Sequence, residues 1–333
     1  MGYTRSLVEA TGHLHRGWRC SAPPHSYTGT TEIVMGVLKI ALRVMRLPFL
    51  ALTPVCVLLG VGTAVWSQGS VSVAHAILTL LGALSAHICV NSLNEYLDFR
   101  SGLDFRTVRT PFSGGSGALP SEPQLAHVAL AVAVVTFVVT TLVGLFYVTV
   151  RGPALLPVGI LGLVVIVTYT RFLARKPWLC LVAPGLGFGP LMVLGTDFVL
   201  TGEYTRTSVV ASLVPFFLVN NLLLLNQFVD VEADTGVGRN TLPSAIGKHA
   251  SCHVFCAFIA LAFLVLPVGV ALTWLPDTSL IALLGLLIAI PTLIGVYRHS
   301  EEIGELIPFM YMNLATTLCT PLLLGVALLL NQT

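Results

Sequence analysis

Two stretches of this 333-residue chain concentrate the groups able to do chemistry. The first runs Asn91-Ser-Leu-Asn94-Glu95-Tyr-Leu-Asp98-Phe-Arg-Ser-Gly102-Leu-Asp104, and the second Asn226-Gln-Phe-Val-Asp230-Val-Glu232-Ala-Asp234. In the first, Asn91, then Asn94 or Glu95, then Asp98 fall at i, i+3 or i+4, and i+7. In the second, Asn226, Asp230 and Asp234 fall at i, i+4 and i+8, so each set shares one face of a helix. Six of the 15 acidic residues stand here, each group at the end of a long apolar run. Carboxylates beside hydrocarbon are costly unless a cation accompanies them. Hard oxygen donors select Mg²⁺ or Mn²⁺ over zinc or copper, and Mg²⁺ is typically held by one or two carboxylates together with substrate phosphate oxygens. The paired stretches therefore predict one polyvalent-cation site built from two halves. Arg106 and Arg109 follow the first stretch, Arg239 and Lys248 follow the second, and Arg171, Arg175 and Lys176 lie in a loop between them. Together these bases would complete a clamp for a polyphosphate head. The plain alternative is a pair of solvated loops.

The elements that must position these groups are membrane helices. The chain is 55% hydrophobic and 10% charged, against about 25% charged residues in a soluble domain. Apolar stretches of about 17–25 residues, the length that crosses a bilayer, fall near 47–67, 74–94, 125–149, 153–170, 179–199, 208–228, 251–274, 278–297 and 307–330. The expected architecture is all-α, with nine transmembrane helices bundled around a central cavity. Of 17 Lys and Arg residues, 15 fall in the N-terminal segment and the connections after the second, fourth, sixth and eighth spans. The positive-inside rule places that side, the N-terminus and both acidic stretches in the cytoplasm. Residues 1–46 read as a polar extension, with 1–31 poorly ordered and without a signal peptide's apolar core. Lys39, Arg43 and Arg46 then line one face of a basic amphipathic helix suited to an anionic membrane surface, or simply extending the first span. Residues 47–330 form the transmembrane domain. A net charge of +2 is too small to argue for nucleic acid, and no feature asks for an obligate protein partner.

The motifs resemble those of the UbiA superfamily of membrane prenyltransferases. The first stretch is similar to the N-x-x-N-D-x-x-D-x-x-x-G-x-D form of its 1,4-dihydroxy-2-naphthoate branch, with Glu95 where that branch has Asp. The second, continuing through Gly238-Arg239-Asn240-Thr241-Leu242, resembles the branch's D-x-x-x-D…G-K/R-x-T-L pattern. Phe188-Gly-Pro-Leu-Met-Val-Leu-Gly195 is like its fifth helix, although Arg175-Lys-Pro-Trp-Leu replaces the usual Gly-Leu-Gly-Glu element. The resemblance covers roughly residues 43–330. It implies an enzyme of a bacterial or archaeal inner membrane, with its active site on the cytoplasmic side. Such an enzyme transfers a polyprenyl group from a polyprenyl diphosphate to an aromatic acceptor, with Mg²⁺. The first choice of acceptor is 1,4-dihydroxy-2-naphthoate, on the route to menaquinone; 4-hydroxybenzoate or a lipid precursor is the runner-up. It implies Asn94, Asp98, Asp230 and Asp234 as cation ligands, and Asp104 as the residue that deprotonates or orients the acceptor. Asn91, Asn226, Arg106, Arg109, Arg175, Arg239 and Lys248 are expected around the substrates. Tyr169 and Arg171 correspond to acceptor or phosphate contacts, and Arg46 to a phosphate contact or an interfacial anchor. A cation transporter is the rival from another class, but such sites tend to lie near the bilayer midplane.

Other patterns carry less. His249, Cys252, His253 and Cys256 have zinc-compatible types at i, i+3, i+4 and i+7, yet four ligands on one rigid helix do not readily close a tetrahedron. Gly114-Gly-Ser-Gly117 lacks the Lys-Ser/Thr of a phosphate loop and reads as a mobile lid. The seven cysteines lie mostly in apolar runs and read as small buried hydrophobes. Asn313 is expected to make a helix–helix hydrogen bond.

Overall fold

The computed structural model describes residues 30–331, and among them every regular element is helical. Of the polar segment 1–31, residues 1–29 lie outside the described residues. The chain divides into two compact units, residues 1–36 and 37–333. The described part of the first is the opening of α1 (Thr30–Val44). From Val37 onward α1 belongs to the second unit, where Ile40 and Val44 bury against Ala118, Leu119, Val128 and Ala129.

Among the described residues nine longer helical segments follow, joined by loops and short helical turns: α2 (Leu47–Gln68), α3 (Val73–Ser101), α4 (Pro123–Arg151), α5 (Pro153–Thr168), α6 (Pro177–Thr201), α7 (Arg206–Gly236), α8 (Lys248–Ala271), α9 (Asp277–His299) and α10 (Ile303–Leu330). They correspond to the nine apolar stretches read from the sequence. Eight are long and apolar enough to cross a membrane; α5 is shorter, giving way to turns at Tyr169.

Helix α7 is the axis of the bundle. Val214, Leu218, Leu224 and Leu225 are buried on it within a large apolar cluster that also takes residues from α2, α8, α9 and α10. Helices α3 and α4 instead leave Leu81, Val134, Val138 and Leu142 exposed, a surface suited to lipid rather than water. Helix α6 carries Pro184 and Pro190, which disrupt the regular hydrogen-bond ladder, and it runs as π-helix over Gly187–Leu194. Gly185 and Gly189 bring it against α7: Gly185 N donates to Asn220 Oδ1 at 2.8 Å, and a Cβ at Gly189 would lie 2.6 Å from the Ser212 carbonyl oxygen. Small residues at this spacing are how membrane helices approach closely.

Helices α3 and α7 have 29 and 31 residues, beyond the ~20 that hydrocarbon requires. Their C-terminal turns overhang the apolar zone, and those turns carry the two acidic stretches. Gly102 ends α3 in the left-handed conformation (φ 79°) that glycine tolerates best.

Candidate active site

The overhanging turns of α3 and α7 face each other across a polar chamber of about 110 Å³. Asn94 and Asp98 reach it from α3, and Asn226, Gln227, Asp230 and Asp234 from α7. Asp104 comes from the turn after α3, Tyr169 from the end of α5, and Arg46 from the break between α1 and α2. Arg239 follows α7 and completes the set. The chamber shares Arg46, Asn94, Phe112, Tyr169 and Asn226 with an apolar gallery of about 490 Å³, which runs between α3, α4, α5 and α6 past Val90, Ile166 and Leu191. A polar head and an apolar tail thus have adjoining compartments.

One cation links the two acidic stretches. The Arg239 guanidinium pairs with Asp98 and lies 3.7 Å from Asp234, bridging the two acidic stretches. Acceptor atoms nevertheless outnumber donors. Asp104 Oδ2, Asn226 Oδ1, Gln227 Oε1 and Asp230 Oδ1 are buried with no hydrogen-bond partner. Orphaned acceptors of this kind are expensive in a folded protein and mark a place for cations or ligand hydroxyls. Among the described residues, no three His, Cys, Asp or Glu side chains converge into a self-sufficient ion site. Hard oxygens split between two helices fit Mg²⁺, whose coordination shell substrate oxygens complete. Burial raises the Asp104 carboxyl to about 7, and neighbouring Glu95 and Asp98 push it the same way. Asp104 is therefore poised to take or hold a proton near neutral pH.

Several expected substrate residues lie outside the chamber. Asn91 lines the gallery, and its Nδ2 donates to the Met45 carbonyl at 3.0 Å. Arg106 is exposed and donates to the Gly236 carbonyl at 2.6 Å, tying the loop after α3 to the end of α7. Arg109 packs across Gly117. Arg171 and Arg175 are exposed on the loop between α5 and α6. Lys248 lies 3.9 Å from Glu301. The Gly114–Gly117 loop is not loose, as the lid reading expects, but is fastened through Ser116 to Glu95 and Arg43. Cys252 is buried against Val296, and the His249 and His253 rings pack on Tyr297. Asn313 is buried and its amide has no hydrogen-bond partner, contrary to the helix–helix bond expected of it.

Among the chamber residues that the motifs did not mark are Gln227, Cys180 and Ser113. Gln227 Nε2 donates to Cys180 Sγ at 3.3 Å, and its Oε1 is one of the unsatisfied acceptors. Its position three residues before Asp230, on the same helical face, was the available signal. Cys180 resembled every other apolar-run cysteine, and Ser113 reaches Asp230 only through the folding of its loop.

Comparison with known proteins agrees with this geometry. Residues 53–329 match the UbiA prenyltransferase family. The 1,4-dihydroxy-2-naphthoate octaprenyltransferase of Bacillus subtilis (strain 168) is 27% identical over 203 residues, covering 59% of this chain and 64% of that protein. The protein of the same name from Haemophilus influenzae is 26% identical over 267 residues, covering 77% of this chain and 84% of that one. The fold is similar to that of a UbiA homolog from Archaeoglobus fulgidus bound to DMAPP and Mg²⁺, with TM-score 0.61, 13% identity, and coverage of 87% of this chain and 99% of that one. Two acidic helix ends over an apolar gallery, in a bundle of membrane-length helices, thus have a family: this chain belongs to the UbiA prenyltransferase family.

Proposed function

We propose that this multi-pass membrane prenyltransferase moves a polyprenyl group from its diphosphate to 1,4-dihydroxy-2-naphthoate, in menaquinone formation, with Mg²⁺. The single observation that carries the reading is a chamber of unsatisfied oxygens opening onto an apolar gallery. The acceptor is taken from the names shared by its relatives. A divalent cation and a prenyl diphosphate are supported by the Archaeoglobus homolog, bound to DMAPP and Mg²⁺.

In this reading Asn94, Asp98, Asp230 and Asp234 hold the cations, which when bound neutralise charge on the diphosphate. Arg239 and Arg46 add fixed positive charge on the chamber wall, and Asn226 sits where head and tail meet. The gallery holds the isoprenoid chain and keeps water from the allylic carbon. The allylic C–O bond breaks, its electron pair leaving with diphosphate, a C–C bond forms from an electron-rich ring carbon of the acceptor, and that carbon restores the aromatic ring by releasing the group it carried, a proton or, from a carboxylate, CO2. Asp104 takes the proton of an acceptor hydroxyl, and Tyr169 borders the same space. Arg106, Arg109, Arg171, Arg175 and Lys248 form an outer basic rim that draws anionic substrates to the chamber. The Lys and Arg distribution supports a cytoplasm-facing site in a bacterial or archaeal inner membrane.

The test is turnover of purified protein in detergent, given a labelled polyprenyl diphosphate, Mg²⁺ and a panel of aromatic acceptors. Acceptor-dependent, EDTA-sensitive diphosphate release, greatest with 1,4-dihydroxy-2-naphthoate, is the expected result. Greater turnover with 4-hydroxybenzoate would overturn the acceptor assignment, and no release by folded protein would overturn the transferase reading.

A further inference from the structure

The polar residues at the end of α3 divide into two pairs, each spaced i, i+4. Asn94 and Asp98 line the chamber. Asn91 and Glu95 grip the chain leaving α1: Asn91 holds the Met45 carbonyl at 3.0 Å, and Glu95 Oε1 lies 3.5 Å from Arg46 Nε. Arg46 needs such support, because it stands in the left-handed region (φ 54°, ψ 54°) that non-glycine residues avoid. Glu95 is 2% exposed. Its Oε1 accepts from Ser116 N at 2.8 Å and its Oε2 from Ser116 Oγ at 2.7 Å. The Ser116 carbonyl in turn accepts from Arg43 Nη2 at 2.6 Å. Ser116 is thus held at every polar group it has.

The loop that Ser116 anchors forms part of the chamber wall. Ser113, Gly114 and Gly115 line the chamber. Gly115 (φ 68°) passes so close to the acids that a Cβ there would lie 2.9 Å from Asp104 Oδ1 and 3.4 Å from Glu95 Oε1. We infer that Glu95 is a positioning residue and not a cation ligand: its carboxylate clamps the Ser113–Ser116 loop and Arg46 around the diphosphate head. The residue type follows from reach. One carboxylate must meet Ser116 with both oxygens and Arg46 with one of them, and the extra methylene of Glu over Asp extends it toward the loop. Both oxygens are committed to donors, whereas Asp104 and Asp230 in the chamber each keep a buried oxygen without a donor.

The inference rests on the prenyl-diphosphate reading, and its test separates the two. Glu95→Gln, Ser116→Ala and the double variant of the full chain would be compared by two readouts. In turnover assays, each single substitution is expected to raise KM for the diphosphate about tenfold, the cost of a lost hydrogen bond to a charged group. The Mg²⁺ concentration for half-maximal turnover stays within twofold of the wild type. The double variant is no worse than Glu95→Gln alone, because the two residues act through one contact. In hydrogen-exchange mass spectrometry without substrate, the segment 110–118 exchanges faster in all three variants. Unchanged exchange there, multiplicative effects in the double variant, or a raised Mg²⁺ requirement in Glu95→Gln alone would each overturn the clamp. Absence of any turnover in the wild type would overturn the prenyl-transfer reading, while the exchange data would still decide whether Glu95 holds the loop.

Discussion

Helices α6 and α7 carry buried acids at both ends, and the two ends behave differently. Where α6 turns into α7, Asp197 is fully buried and its oxygens are met by protein donors. Thr63 Oγ1 donates at 2.8 Å, Thr205 Oγ1 at 2.8 Å and Thr205 N at 3.2 Å. At the other end, Asp104, Asn226, Gln227 and Asp230 each keep a buried oxygen without a donor. In a low-dielectric interior a satisfied acid is architecture, because its desolvation is offset by fixed hydrogen bonds. An unsatisfied set is a binding site, because the missing partners must come from ligands. The difference lies in bond completion, not in burial or residue type.

The sharpest way to break this comparison is to substitute an acid at each end. Asp230→Asn and Asp98→Asn are expected to lower kcat/KM by ~10²–10³-fold or more, because charge on the departing diphosphate loses its neutralising partner. Thermal unfolding of Asp230→Asn should move little, since Asp230 Oδ1 has no protein bond to lose, whereas Asp98→Asn also weakens the ion pair with Arg239 and should lower the melting temperature. Asp197→Ala should do the reverse. It leaves the two Thr205 donors without their acceptor, at about 1–3 kcal/mol for each unsatisfied group, while Thr63 Oγ1 keeps the Gly60 carbonyl, so the melting temperature in detergent falls while kcat/KM of the surviving folded fraction stays within a few-fold. Equal kinetic losses at both ends would remove the distinction.

A smaller effect is expected between the two ends, where neither acid acts. Gly189→Ala places a Cβ 2.6 Å from the Ser212 carbonyl oxygen on α7. Backbone cannot yield as a flexible side chain does, so the variant should lose ~1–3 kcal/mol from overpacking. That loss should appear as a lower melting temperature, together with a modestly raised KM as α6, a wall of the gallery, shifts.

Much of this was legible in the residues. Long apolar runs specify helices and their lengths, and helical spacing places Asp98, Asp230 and Asp234 on facing turns. What spacing left open was which of Asn94 and Glu95 shares the face of Asn91, since at about 100° per residue i+3 falls about 60° short of a full turn and i+4 about 40° beyond it. The fold separates them: Asn94 turns to the chamber, while Glu95 turns to Ser116, a partner 21 residues away through a loop without periodicity. The bases were the least legible. Composition puts Arg106, Arg171, Arg175 and Lys248 on the side of the acids, but long side chains on loops carry no register. The chain path brings only Arg46 and Arg239 to the chamber lining.

That separation among the bases yields the finest test of the comparison. Arg239 contacts acids of both helices, whereas Lys248 faces Glu301 across 3.9 Å at the surface. A long pair whose carboxylate is exposed contributes only ~0–1 kcal/mol and is screened by salt. Lys248→Ala should therefore leave the melting temperature unchanged, and any rise in KM for the diphosphate should be about twofold and vanish at high ionic strength, as long-range attraction does. Arg239→Ala should raise KM far more, and raised salt should not remove the difference, because its charge lies between desolvated carboxylates. A Lys248 variant with a large, salt-independent loss would mean that substrate binding draws that lysine into the chamber, extending the unsatisfied region beyond the oxygens that now define it.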